Sequence, residues 1–143
     1  MTSRTFEMYT DGSFNSVTAV YGGAYCVVDL LEGSVSGNDP ELATARNVAG
    51  ECLAVVRGIK ALIDQEKLAP ADKVIVFHDY TGLAEWAEGR WRAKKTVAIK
   101  YLQSIQLFRE KGLVIEFVKV PAHSGVEINE KVDQLAKKAV GLL

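Results

Sequence analysis

Apolar and polar residues alternate from Phe6 to Tyr9 in RTFEMYTDGS and break at Asp11-Gly12. That alternation predicts a first strand ending at Asp11. TAVYGGAYCVVDL predicts a second strand, with Gly22-Gly23 weakening its start or marking a bulge. A turn at Leu31 to Gly33 and a short strand in SVSGN complete an antiparallel meander. NDPELATARN is polar and irregular and reads as a loop. From Asn47 the period changes. Leu53, Val56, Ala61 and Leu62 recur at helical spacing, which predicts a helix over 47–66, and Pro70 blocks its continuation.

VIVFHDY is the most apolar run in the chain. It predicts a fourth strand, central, parallel to the first and covered on both faces. GLAEWAEG predicts a short helix ended by Gly89, RWRAKK a basic loop, and TVAIKYLQSIQLFREKG a longer helix closed by Gly112. LVIEFVKV predicts a fifth strand, PAHSGVEI a loop, and NEKVDQLAKKAVGLL a closing helix with Asn129 at its N-cap. The order β-β-β-α-β-α-α-β-α shows no repeat and no linker. It predicts one α/β domain over 1–143, with helices on both faces of a mixed five-stranded sheet. Strands one to three form the meander, and strands four and five run parallel to strand one.

Composition narrows the function classes. The chain has 143 residues, 48% apolar and 24% charged, as in ordinary soluble domains. A net charge of −1 argues against non-specific coating of nucleic acid, but leaves room for a local basic patch with bound metal. No apolar stretch reaches the roughly 20 residues of a membrane span. MTSRTFEMYT lacks the apolar core of a secretory signal, so a cytoplasmic location is expected. Cys26 and Cys52 sit in apolar contexts without CxxC spacing and read as reduced core residues.

The chemistry rests on where acids fall. Asp11 and Asp79 end the first and fourth strands, which as parallel neighbours would project both carboxylates from one sheet edge. Glu51 and Asp133 lie near the starts of two helices. Four converging carboxylates repel one another unless cations neutralise them, and oxygen-only ligands suit Mg²⁺ or Mn²⁺. Two such ions roughly 4 Å apart would clamp the attacking and leaving oxygens of a phosphodiester. Periodicity alone also allows each acid to be a strand-end or helix-end solubiliser.

YTDGS at 9–13, GGAYCVV at 22–28, GECLAVVRGIKAL at 50–62, the strand-end Asp79, and VKVPAHSG with NEKVDQLAKKA at 118–139 together resemble the type 1 ribonucleases H, in order and over nearly the whole chain. The resemblance implies the ribonuclease H-like fold. It also implies an endonuclease that cuts the RNA strand of RNA/DNA hybrids with two Mg²⁺ ions, Mn²⁺ substituting, and leaves 5′-phosphate and 3′-hydroxyl ends. It makes Asp11, Glu51, Asp79 and Asp133 the metal ligands and His123 the loop histidine that assists proton transfer or product release. Gly12, Ser13, Asn47 and Thr81 fall where the RNA strand would be contacted, although Asn47 also suits a helix N-cap. Arg46, Lys94, Lys95 and Thr96 fall where phosphates would be held, beside Arg90, Arg92 and two tryptophans that read as anchors.

The chain departs from the family's commoner TDS-like triplet, with HDY at 78–80. The interval from Asp79 to Asp133 predicts a reduced basic protrusion, and the opening on the first strand leads to the expectation that the family's N-terminal hybrid-binding domain is absent. A monomer without an obligate protein partner and without membrane association is expected. The alternative in another class is a catalytically silent hybrid-binding module of the same fold; a third reading is a related-fold nuclease acting on DNA or double-stranded RNA.

Overall fold

A computed structural model of the chain describes residues 2–121 and 127–143. The strands are β1 (Thr5–Asn15), β2 (Val20–Val27), β3 (Leu31–Gly37), β4 (Lys73–His78) and β5 (Val114–Lys119). The helices are α1 (Pro40–Ala43), α2 (Asn47–Glu66), α3 (Gly82–Ala87), α4 (Thr96–Glu110) and α5 (Glu127–Ala139). They build one five-stranded sheet in the order β3-β2-β1-β4-β5. β1 pairs antiparallel with β2, β2 antiparallel with β3, and β4 runs parallel to both β1 and β5. The mixed α/β architecture expected from the pattern is the one found.

Strand alternation divides the sheet into two faces. Met8, Tyr25, Val27, Val74 and Val76 join Cys52, Val55, Ile59 and Leu62 of α2 and Tyr101 and Ile105 of α4 in the larger core. Tyr9, Ala24 and Cys26 meet Val132, Leu135 and Ala136 of α5 in a smaller one. Successive residues of β1 therefore serve opposite layers, as the two-residue period requires. Both cysteines are buried and unbridged, as expected.

α2 lies unusually close to β1 and β2. A methyl group at Gly12 would collide with the Asn47 carbonyl and the Glu51 amide. One at Gly23 would strike the Gly50 carbonyl, and one at Gly50 the Gly22 carbonyl. These glycines are required because backbone meets backbone here. The register Gly12↔Gly23 and Ser13↔Gly22 is regular, so Gly22-Gly23 marks a close approach and not the expected bulge.

Several boundaries differ from the expected ones. β1 continues four residues past Asp11, to Asn15, because its pairing with β2 persists to Asn15↔Val20. β3 begins at Leu31 instead of Ser34, since Leu31 already pairs with Val27. The loop before α2 contains α1, with Asp39 capping it through a hydrogen bond from the Glu41 amide (3.0 Å) and Pro40 in its first turn. Asn47 is the first helical residue of α2, not its cap; Arg46 takes the cap position at φ 56°, without a side-chain capping bond. Asn129 likewise falls inside α5, which starts at Glu127. Gly89 and Gly112 have positive φ just beyond α3 and α4, as expected of terminating glycines.

Candidate active site

The parallel pairing of β1 and β4 ends at Tyr9↔Phe77. Beyond that pair the two strands part, and Asp11 and Asp79 follow, each two residues on. Both therefore leave the sheet on the face that carries Tyr9 and Phe77, whose rings stack there. α5 covers this face and brings up Asp133. A cavity of about 160 Å³ opens at the parting, lined by Thr10, Asp11, Gly12, Asn47, Asp79, Val120, Pro121, Asn129, Glu130, Val132 and Asp133. Three of the four acids singled out from the sequence, together with Gly12 and Asn47, thus meet in one place.

Glu51 stands behind that wall, on the α2 side, and is only 3% exposed. Thr10 faces α2 because Asp11, its neighbour, faces α5. The Thr10 hydroxyl donates to Glu51 Oε2 (3.3 Å). The Asp79 amide donates to Oε2 (3.3 Å) and the Tyr80 amide to Oε1 (3.3 Å). The carboxylate is thereby tied to the end of β4. Asp133 pairs with Lys137 one turn along α5 (3.0 Å). Asp11 accepts from its own neighbour, the Gly12 amide (2.8 Å).

The electrostatics record the crowding. Burial pushes the Asp11 carboxyl up to about 7, with the charges of Asp133 and Asp79 adding to the rise and the Gly12 amide opposing it. Burial pushes Glu51 up to about 8, with Asp11 raising it further and the amides of Asp79 and Tyr80 lowering it. Neither Asp11 nor Glu51 makes a salt bridge with a described residue, whereas Asp133 has Lys137. Among the described residues, no three histidine, cysteine or carboxylate groups lie close enough to hold an ion as they stand; Glu51 is engaged by two amides and a threonine and Asp133 by a lysine. The donor set is nonetheless all oxygen, which fits a hard divalent cation, and a cation would relieve the repulsion that raises Asp11.

The remaining predicted residues that are described do not line this cavity. Ser13 is buried in β1, and Thr81 sits at the start of α3. The Arg46 guanidinium lies over the Phe14 ring, 5.1 Å from its centroid. Lys94 and Lys95 are exposed before α4, and the Thr96 hydroxyl contacts the Glu41 carboxylate. Arg90 is taken up by Glu85 (3.0 Å), while Arg92, Lys94 and Lys95 are exposed and make no salt bridge with a described residue. His123 lies outside the described residues. His78 is buried; its Nδ1 meets the Tyr80 carbonyl (2.9 Å) and its ring meets Phe117 edge-on, which makes it structural. Trp86 packs on the core, as an anchor should, while Trp91 stays 43% exposed. Thr10, Lys137 and the Tyr80 amide were not singled out from the sequence. Only the adjacency of Thr10 and Tyr80 to Asp11 and Asp79 could have marked them.

The sequence profile of the RNase H family matches residues 3–141. The chain belongs to the RNase H family. It is 33% identical to a ribonuclease H of Chromobacterium violaceum, over 94% of this chain and 93% of that one. A ribonuclease H of Chlorobaculum parvum is 27% identical, with 96% of each chain covered. The N-terminal RNase H domain of a Mycobacterium tuberculosis protein has the same fold, with a TM-score of 0.76 at 21% identity over 96% of this chain and 94% of that one. A ribonuclease H solved in complex with an RNA/DNA hybrid matches with a TM-score of 0.75 at 20% identity, over 94% and 96% of the two chains. The chain is accordingly an enzyme of the ribonuclease H class, a nuclease, and the expected family and mixed five-stranded sheet hold. No helix among the described residues is long and apolar enough to cross a membrane.

Proposed function

We propose that this ribonuclease H cuts the RNA strand of RNA/DNA hybrids endonucleolytically, leaving 5′-phosphate and 3′-hydroxyl ends. The observation that carries the reading is the meeting of Asp11, Asp79 and Asp133 in one cavity with Glu51 directly behind. Asp11, Glu51, Asp79 and Asp133 would hold two Mg²⁺ ions, or Mn²⁺ in their place. When bound, such ions supply an activated water and neutralise charge on the phosphodiester oxygens.

The protein's own part is placement. The Asp79 and Tyr80 amides and the Thr10 hydroxyl aim Glu51, and the Tyr9–Phe77 stack sets the spacing of Asp11 and Asp79. Gly12 lines the cavity, where an RNA backbone would approach the strand, with Ser13 next along it. Asn47 lines the same cavity, where its amide can meet a ribose 2′-hydroxyl, the group that separates RNA from DNA. Thr81 would lie along the same strand. His123 would assist proton transfer or product release, work that a histidine side chain suits. Arg46, Lys94, Lys95 and Thr96 would hold phosphates of the paired strand, with Arg92 beside them.

One gel tests this reading. Labelled RNA is offered in a hybrid, in an RNA duplex and alone, each with Mg²⁺, Mn²⁺ or chelator. Internal cuts in the hybrid only, dependent on the cation and bearing 5′-phosphates, are expected. Binding of the hybrid without cleavage under either cation would favour a silent binding module, and cleavage of the RNA duplex would remove the assigned specificity.

A further inference from the structure

We propose that Tyr80 is a positioning residue whose ring locks the turn that holds Glu51, and so ties the acid cluster to the basic segment; the catalytic consequence rests on the function proposed above. Tyr80 is pinned from three directions. Its amide donates to Glu51 Oε1 (3.3 Å). Its carbonyl accepts from the Leu83 amide (3.2 Å) and meets His78 Nδ1 (2.9 Å). Its ring packs against Trp86, with centroids 5.6 Å apart, and edge-on against Trp91 at 6.4 Å.

Trp86 is the hub of this wedge. It touches Trp91 at 6.3 Å and Tyr101 of α4 at 6.3 Å, while the Tyr101 hydroxyl anchors α3 by donating to the Leu83 carbonyl (2.8 Å). Trp91 begins the segment that carries Arg92, Lys94 and Lys95. Gly82 is the complementary cut-out, since a side chain there would collide with the Tyr80 ring. A ring held against two tryptophans restrains the Cα of residue 80, and through it the 79–80 peptide plane whose N–H bonds Glu51 and the turn that also carries the Asp79 amide. The only other donor to Glu51 among the described residues is Thr10. The Tyr80 hydroxyl makes no hydrogen bond with a described residue, so the ring and not the hydroxyl carries the role. Catalytic geometry is sensitive to such support, because a displacement of about 1 Å can cost on the order of a hundredfold in rate.

The test compares Tyr80→Phe, Tyr80→Ala and, as a destabilised control away from the wedge, Phe108→Leu. The first readout needs no activity: exchange of the 79 and 80 amides by NMR, taken relative to the Val76 amide so that global stability cancels. Tyr80→Ala should accelerate it about tenfold or more, and Tyr80→Phe and Phe108→Leu should leave it within about twofold. The second readout is hybrid cleavage. Tyr80→Ala should lower kcat about tenfold and raise KM about threefold, with Tyr80→Phe restoring both. Unchanged relative exchange in Tyr80→Ala would overturn the lock, and faster exchange with unchanged kcat would overturn the positioning role. A wild-type chain that cuts no hybrid would refute the proposed function instead, and the exchange ratio would still decide the lock.

Discussion

Tyr9 and Phe77 stack on neighbouring parallel strands, their ring centroids 4.6 Å apart and their planes 11° from parallel. They are the last pair joining β1 to β4. The acids that follow each of them by two residues inherit their spacing. An offset aromatic stack contributes about 1 kcal/mol beyond the area it buries.

A double-mutant cycle over Tyr9→Leu and Phe77→Leu should therefore return a coupling of about 1 kcal/mol in urea unfolding. Each single variant should also slow cleavage, because the stack sets the separation of Asp11 and Asp79. Additive effects on stability would remove the stack as a link between the strands.

The raised carboxyls give a dependence on pH with a definite sign. In the folded chain Asp11 sits at about 7 and Glu51 at about 8, against ordinary values of 3.8 and 4.5. Between those limits the folded state binds more protons than the unfolded one, so stability falls as pH rises. Their contribution is fully present below pH 3.8 and is lost as pH climbs through about 7 to 8. Thermal unfolding without divalent ions should give a lower Tm at pH 8.5 than at pH 6 in wild type, and a smaller difference in Glu51→Gln. Adding Mg²⁺ at the higher pH should recover part of the wild-type loss. An equal pH dependence in the two proteins would reject the assignment.

Asp11→Asn removes a carboxylate whose charge is opposed by Asp133 and Asp79. It should abolish hybrid cleavage while keeping the fold, and raise the metal-free Tm at pH 8, the usual exchange of stability for function. Near-normal Mg²⁺-dependent cleavage by this variant would defeat the scheme of four acids.

The glycine contact under α2 has a structural readout. Gly50→Ala places a methyl group on the Gly22 carbonyl. Overpacking of this kind typically costs about 1–3 kcal/mol. Cleavage should fall as well, since the adjoining Glu51 shifts with the helix. Gly89→Ala is the contrast: no neighbour lies within 4 Å of the added methyl, so its cost is confined to the positive φ of 77°. Chemical denaturation of both variants, beside their cleavage rates, separates the two effects.

For the basic segment, Lys94→Ala combined with Lys95→Ala should raise KM and flatten its dependence on salt, because fewer counterions are released on binding. The slope of log KM against log salt checks this, and an unchanged slope would exclude phosphate contact at these lysines.

What could be read from the chain was carried by local signals. The alternation of β1, the continuous apolar run of β4 and the helical spacing over 47–66 are properties of neighbouring residues, and α2 spans Asn47–Glu66 as the period requires. The four acids were legible because each lies at or near the expected end of such an element, although β1 runs on past Asp11 and Asp133 falls in the middle of α5. Tertiary contacts decided the rest. Antiparallel partners drew β1 past Asp11, and no local pattern announces a partner's length. Backbone-to-backbone contact at Gly12, Gly23 and Gly50, invisible until sheet and helix meet, lowers Glu51 behind the cavity. The same packing turns Thr10 and the amides of Asp79 and Tyr80 toward Glu51. Sequence by itself determined which groups carry the charge, because side-chain chemistry and period are local. Only the folded chain decided which of them face one another, because that depends on how closely the layers pack.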